Sequence, residues 1–218
     1  YIVLGAGPAG STFARLAGKE KKILLIDGQT EKNKKPCGGL LSPDAQKALA
    51  HFDLVLPKSV LADPQIFSVK TIDLVSKKVR YYQRYYLNMD RFKFDKWLLS
   101  LVPQSVDAIF GRCEGLKKEG DIFVALVKEN GKETEYRGKN IVGADGASSL
   151  VRRTFFKKQM FKYVSIQQWF KKTDSGVPFY SCIFDPKTSE SCSWLMYKDD
   201  YVIFGGCFVP QNCRAAFE

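Results

Sequence analysis

The chain opens YIVLGAGPAGSTFARLAGKEKKILLID, residues 1–27, and reads as strand, tight turn, helix and second strand in that order. Residues 1–4 (YIVL) and 23–26 (ILLI) are short continuous apolar runs of the kind that make buried strands. Between them, residues 8–19 place Ala9, Phe13, Leu16 and Ala17 at helical spacing. The turn is Gly5-Ala6-Gly7-Pro8-Ala9-Gly10, a G-x-G-x-x-G pattern that is weak in isolation. Its setting strengthens it. It leaves a strand and opens a helix, and the second strand ends at Asp27, 22 positions after Gly5. Gly5 permits the tight turn, Gly7 lets a pyrophosphate approach backbone N–H groups, and Gly10 brings the helix close to the strand. The helix start, with Pro8 and Ala9 in its first turn, offers partial positive charge and unpaired donors to a diphosphate. Asp27, followed by Gly28, is placed to accept hydrogen bonds from ribose hydroxyls. The pattern predicts a dinucleotide site without choosing the dinucleotide.

Further along, residues 28–42 form a polar loop bearing Gly and Pro, and Ser42-Pro43 signals the start of a short helix to about 50. Residues 66–75 and 78–87 are rich in Ile, Val and Tyr and read as strands. Asp90 caps a helix over 91–102, with Pro103 beyond its end. Residues 106–142 read as short antiparallel strands, with turns at Glu119-Gly120-Asp121 and Asn130-Gly131. They end in a buried strand, 140–142, that runs into Gly143-Ala144-Asp145-Gly146, where Ser148 or Ser149 can cap a helix. After about 158 the pattern changes to strands at 163–170, 178–184, 192–197 and 201–208, with no helical period.

The fold class expected is therefore α/β. A Rossmann-like domain with a mostly parallel sheet and a β-meander covers 1–158, and an antiparallel-sheet domain begins over 159–218. The strand-rich stretch at about 57–88 belongs either to the first domain or, as an insertion, to the second.

Composition narrows the partners. The 218 residues are 45% hydrophobic and 26% charged, which excludes a disordered tail and a disulfide-stapled miniprotein. There are 34 Lys+Arg against 23 Asp+Glu, and the net charge of +11 points to nucleic acid, a membrane surface or a phosphorylated ligand. The cations are scattered and no nucleic-acid module is present, so nucleic acid ranks last. The run Glu31-Lys32-Asn33-Lys34-Lys35 is either a solvated loop or a clamp for an anionic headgroup. No apolar run nears the roughly 20 residues of a membrane span. The six cysteines form no C-x-x-C pair and read as free thiols of a reducing cytoplasm, with no metal site. The single His51 reads as structural.

Three further motifs carry a resemblance. Gly143-Ala144-Asp145-Gly146-Ala147-Ser148-Ser149-Leu150-Val151-Arg152 resembles the G-A-D-G-x-x-S-x-V-R segment of flavoprotein monooxygenases and their relatives. Asp90-Arg91-Phe92-Lys93-Phe94-Asp95 resembles the D-R-x-x-F-D segment of the same superfamily. Lys35-Pro36-Cys37-Gly38-Gly39 resembles the K-x-C-G-G loop of its geranylgeranyl reductase branch. The four motifs stand in the family's order over residues 5–152.

The resemblance implies FAD as the cofactor and NAD(P)H or another external electron donor. It implies cofactor contacts from Cys37, Gly38, Arg91, Asp145 and Gly146 beside the opening turn. On the residues alone, Arg91 is a helix-terminal Arg that is either solvated or facing a phosphate. Asp145 would hold a hydroxyl, a backbone N–H or water, with Arg152 available to neutralise it. Cys37 is the one candidate catalytic residue, as a flavin contact or a proton source.

The implied activity is reduction of C=C bonds in a hydrophobic, isoprenoid-like or lipid-like substrate by flavin hydride. The alternatives are a flavin-dependent monooxygenase or halogenase, and a non-catalytic prenyl-chain-binding module of the same fold. Prenyl reductases carry P-x-x-Y-x-W-x-F-P in the substrate domain. Here residues 189–197 keep only Trp194, which with Phe204 and Phe208 is a candidate for an apolar substrate wall. The resemblance also implies that this chain matches the front part of a longer architecture. The expected location is cytoplasmic, with peripheral contact at the inner membrane face as a further possibility.

Overall fold

A computed structural model describes residues 1–28, 35–158, 160–173, 176–189 and 191–218. In chain order the elements begin β1 (Ile2–Leu4), α1 (Pro8–Ala17), β2 (Leu24–Asp27), β3 (Leu40–Leu41), α2 (Pro43–His51), β4 (Ile66–Asp73) and β5 (Lys78–Asn88). There follow α3 (Arg91–Ser100), β6 (Asp107–Phe110), β7 (Arg112–Glu119), β8 (Ile122–Glu129), β9 (Lys132–Gly138) and β10 (Ile141–Gly143). A wide helical turn, Arg152–Phe156, precedes β11 (Val164–Lys171), β12 (Phe179–Phe184), β13 (Ser193–Lys198), β14 (Tyr201–Phe208) and α4 (Cys213–Phe217). The chain forms two compact units: Tyr1–Lys34 with Asp95–Phe161, and Lys35–Phe94 with Lys162–Glu218. The stretch 57–88 lies inside the second.

The first unit is built on a parallel sheet in the order β10-β1-β2-β6. Alternation along β1 and β2 divides its apolar residues between two faces. Val3 and Leu25 join Ala6, Ala14, Ile23 and Val106 on the α1 side. Ile2, Leu4 and Ile26 join Ala125, Val127 and Val151 on the side of the three-stranded meander β7-β8-β9. Each fully buried Leu, Ile or Val contributes roughly 1.5–3 kcal/mol. The continuous apolar runs of β1 and β2 follow from this double burial. The expected mostly parallel sheet with a β-meander is what forms. One boundary differs: Asp107–Phe110 does not open the antiparallel meander but pairs in parallel with β2, Leu24 opposite Asp107 and Asp27 opposite Phe110.

The second unit is a seven-stranded sheet, β11-β14-β13-β12-β4-β5-β3. It is antiparallel as expected except at one junction among the described residues, where β12 runs parallel to β4 from Phe179↔Ser68 to Phe184↔Asp73. Several small elements escaped the sequence reading, among them a single 3-10 turn at Lys58–Val60. The two-residue β3 sits in what reads as loop, and α4 packs Phe217 on Phe204 and Phe208 with ring centroids 5.8 and 5.9 Å apart. Among the described residues no helix is long and apolar enough to cross a membrane.

Candidate functional site

In the first unit the opening turn lies at the carboxyl ends of the parallel strands, where ligands collect in open α/β sheets. Gly5 adopts φ +95°, and a Cβ there would meet the Ala144 carbonyl oxygen at 2.5 Å. Its N–H donates to the Ile26 carbonyl at 2.9 Å, while Ala144 N–H donates to Leu4 O at 2.8 Å. The 5–10 turn and the 143–146 turn are thereby locked side by side. Gly10 is tighter still: a Cβ would fall 1.8 Å from the Gly5 carbonyl oxygen. The buried Ser11 hydroxyl donates to Ala6 O at 2.8 Å and fixes the loop from within. Gly7 is the N-cap of α1 and supplies no side chain, and Pro8 follows it. The first-turn amides of Ala9 and Gly10 are therefore left for another acceptor.

Asp27 ends β2 at 9% exposure, with its Oδ2 3.2 Å from Lys96 Nζ. Gly28 follows in the open. Asp145 Oδ2 accepts from Leu150 N–H at 2.5 Å and Val151 N–H at 3.4 Å, so it caps the helical turn that begins at Leu150. Ser149 Oγ adds a bond from Arg152 N–H at 3.0 Å. The expected neutralisation of Asp145 by Arg152 is not what forms. Arg152 Nη2 donates to the Ala147 carbonyl at 2.5 Å, the nearer acceptor on the same turn. Asp145 Oδ1 is left buried and without a hydrogen-bond partner among the described residues. Gly146 follows at φ +78°.

In the second unit Cys37 and Gly38 meet Arg91 and Trp194. Gly39, at φ +69°, turns the chain so that its N–H donates to Cys37 Sγ at 3.4 Å and its carbonyl accepts from Met89 N–H at 2.8 Å. Asp90 Oδ1 accepts from Phe92 N–H at 2.8 Å and Lys93 N–H at 3.0 Å, capping α3 as the sequence predicts. That cap directs Arg91, whose Nη1 lies 3.9 Å from Cys37 Sγ.

A cavity of about 310 Å³ opens beside this turn, with Tyr86, Tyr180, Trp194 and Met196 as its opposing wall. Trp194 lies over Gly205, where a Cβ would stand 2.6 Å from the indole. Its Nε1 is buried with no hydrogen-bond partner among the described residues. Burial pushes the Tyr180 hydroxyl far above its ordinary range.

Phe204 and Phe208 do not join Trp194 there. Trp194 pairs with Gly205 and Leu195 with Phe204, so strand alternation sends both Phe side chains to the opposite face, onto α4. Tyr86, Tyr180 and Met196 went unnoticed in the sequence. Only Met196 carried a signal, two residues from Trp194 on the same strand. Lys198, buried behind the turn, is a further omission: burial lowers its ammonium to about 8. Of the basic run 31–35, only Lys35 falls within the described residues. Among the described residues no three His, Cys, Asp or Glu side chains group closely enough to hold a metal.

No family model matches the chain. The protein CbrA of Shigella dysenteriae serotype 1 is 42% identical over 221 residues, which is 99% of this chain and 62% of that protein. CbrA of Escherichia coli O157:H7 is similar to the same extent. The chain thus spans about three-fifths of the length of these curated relatives. Among solved structures, a geranylgeranyl bacteriochlorophyll reductase-like protein from Thermoplasma acidophilum superposes with a TM-score of 0.75 at 21% identity, over 95% of this chain and 56% of that one. A triple mutant of the flavin-dependent brominase Bmp2 gives 0.76 at 18% identity, over 98% and 58%. A flavoprotein/dehydrogenase from Cytophaga hutchinsonii gives 0.72 at 21%, over 96% and 55%. The chain therefore shares the Rossmann-like fold of these three proteins.

Proposed function

We propose that the chain belongs to an FAD-dependent oxidoreductase. The observation that carries this reading is the convergence at the carboxyl ends of β1, β2 and β10. An uncapped helix start, a glycine cradle with no room for a Cβ, and the carboxylate of Asp27 meet there. These groups fit a dinucleotide. The α1 amides at Ala9 and Gly10 would hold the diphosphate, Asp27 the adenosine ribose, and the free Oδ1 of Asp145 a hydroxyl, amide or water at the far side. FAD supplies hydride transfer when bound, and the residues here bind, orient and shield it. The family resemblance sets the loop that carries Cys37 and Gly38 toward the flavin ring and makes Arg91 a cofactor contact, facing the diphosphate or flanking it.

The finer reading is reduction of a C=C bond in an isoprenoid-like or other hydrophobic substrate, with NAD(P)H or another external donor. In its support, the cavity beside Cys37 is walled by Tyr, Trp and Met rather than by charge. A monooxygenase or halogenase is the second reading, favoured by the likeness to a brominase at similar TM-score. The basic excess would serve an anionic substrate or peripheral contact with the inner membrane face, since a bound FAD diphosphate offsets only about two charges. Nucleic acid has no part in this reading.

The test begins with the absorbance spectrum of the purified protein and chromatography of its extracted cofactor. A flavin spectrum with roughly one FAD per chain is expected. A colourless protein that takes up no added FAD would overturn the reading in favour of a prenyl-chain-binding module. Anaerobic turnover of reduced flavin with an unsaturated substrate then separates the two enzymes: a reductase proceeds, and a monooxygenase stalls.

A further inference from the structure

Two cysteines of the second unit lie beside the cavity wall and take no part in the site described above. Strands β12 and β13 pair Ser181 with Leu195, Cys182 with Trp194 and Ile183 with Ser193. Cys182 and Trp194 therefore stand directly opposite each other on one face of the sheet. Tyr180, two residues before Cys182, and Met196, two after Trp194, share that face, and both wall the cavity. Cys192 lies two residues before Trp194, just outside β13, and so comes diagonally opposite Cys182 on the same side. Both thiols are partly exposed.

The side chains here form a directed chain of hydrogen bonds. The Tyr180 hydroxyl donates to Cys182 Sγ, and the Cys182 thiol donates to Cys192 Sγ. Cys192 Sγ also accepts from the Ser191 side chain. The donors converge on Cys192, so of the two sulfurs it carries charge the more readily. A disulfide needs Cβ atoms about 3.5–4.5 Å apart, closer than a diagonal pair in regular strands. Cys192 has the freedom to close that gap, because it precedes its strand rather than lying within the ladder. Cys207, the next cysteine across the sheet on β14, is engaged elsewhere, with its Sγ 3.2 Å from Ser165 Oγ.

We propose that Cys182 and Cys192 form a dithiol site, beside the cavity wall at Trp194, that a peroxide converts reversibly to a cross-strand disulfide. The Cys192 thiolate attacks one peroxide oxygen and the O–O bond breaks. Cys192 becomes a sulfenic acid, and the departing hydroxide takes up a proton as water. The Cys182 sulfur then attacks the sulfenic sulfur. The S–S bond forms, the S–O bond breaks, and the hydroxyl leaves as water with the proton of Cys182. Two thiols thus give up two electrons and two protons, and hydrogen peroxide becomes two waters. An external thiol reverses the step by exchange. The site stands apart from the FAD reading and does not rest on it.

The test is a disulfide map of the unmutated protein. It is treated with equimolar hydrogen peroxide at neutral pH, blocked with N-ethylmaleimide and digested with trypsin without reduction. Cleavage at Lys187 puts Cys182 in peptide 173–187 and Cys192 in peptide 188–198, so their disulfide appears as a linked pair in the mass spectrum. That pair is expected roughly tenfold or more above any other pair among the six cysteines, because only these two sulfurs already meet. It should disappear with dithiothreitol, and the oxidised chain should run as a monomer on a non-reducing gel. A map without the 182–192 pair overturns the proposal, as does one in which Cys192 is joined chiefly to Cys207. A pair that survives dithiothreitol, or one found only in covalent dimers, overturns it as well. No variant has to fold for any of these outcomes. Absence of FAD leaves this test untouched, and failure here leaves the FAD reading standing.

Discussion

Gly10, in the first turn of α1, and Gly120, in a hairpin turn, answer to different physics. At Gly10 the obstacle is backbone, the Gly5 carbonyl oxygen 1.8 Å from any Cβ. At Gly120 nothing lies within 4 Å, and only φ +58° resists a side chain. Gly10→Ala is therefore expected to cost about 2–3 kcal/mol, or roughly 5–10 °C in Tm, and to abolish FAD uptake. Gly120→Ala should cost about 1 kcal/mol and leave uptake alone. Calorimetry with a flavin-binding titration checks both, and equal losses would contradict the cradle.

Cys113 gives a pH prediction. Burial raises its thiol to about 11, so at pH 8 it should alkylate roughly 100-fold more slowly than an exposed cysteine. The folded state holds that proton more tightly than the unfolded chain, whose thiol titrates at about 8.5. The stabilisation is complete below that pH and is lost as the pH rises through about 11. Urea midpoints in wild type should fall over this window more than in Cys113→Ala.

At the level of helices and strands, α3 depends on one carboxylate. Asp90→Ala removes the acceptor for two first-turn amides and should cost about 1 kcal/mol, while Asp90→Asn, itself a good cap, should cost less. Chemical denaturation of the pair checks this. On β14, Gly205→Ala would force the Trp194 indole toward the cavity, and a shifted tryptophan emission should report it. These elements also show how far the sequence could be read.

The caps at Ser42 and Asp90 and the double-faced apolar runs of β1 and β2 were legible because their signals are local. Partner choice was not. Nothing within Asp107–Phe110 says that it pairs in parallel with β2, or that β12 lies parallel to β4, since alternation gives a strand its faces but not its neighbours. In the candidate site, the tight turn at Gly5 and Gly10 and the place of Asp27 at the end of β2 were legible for the same local reason. Tyr86 and Tyr180 reach the cavity only through long-range pairing, and Lys198 lies four residues beyond the one tryptophan that drew notice.

The largest organising fact is that the second unit is assembled from two separated pieces, 35–94 and 162–218. Strands β4 and β5 belong to the first piece, and the partner of β4, β12, belongs to the second. A truncation after residue 161 should therefore leave β4 with one edge unpaired and give an aggregating product, although the first unit is complete in it. Sedimentation of the truncated and longer chains tests this, and a soluble, cooperatively melting 1–161 would count against it.

The same discontinuity has a consequence in time. On the ribosome, β4 and β5 emerge well before β12, β13 and β14, and at about 5–20 residues per second the wait to the end of β14 is roughly 5–25 s. During that interval a hairpin bearing exposed Phe67, Tyr81 and Tyr85 has no partner strand at β4. Soluble yield should then follow the rate of synthesis and the supply of chaperones more closely than the stability of the finished fold.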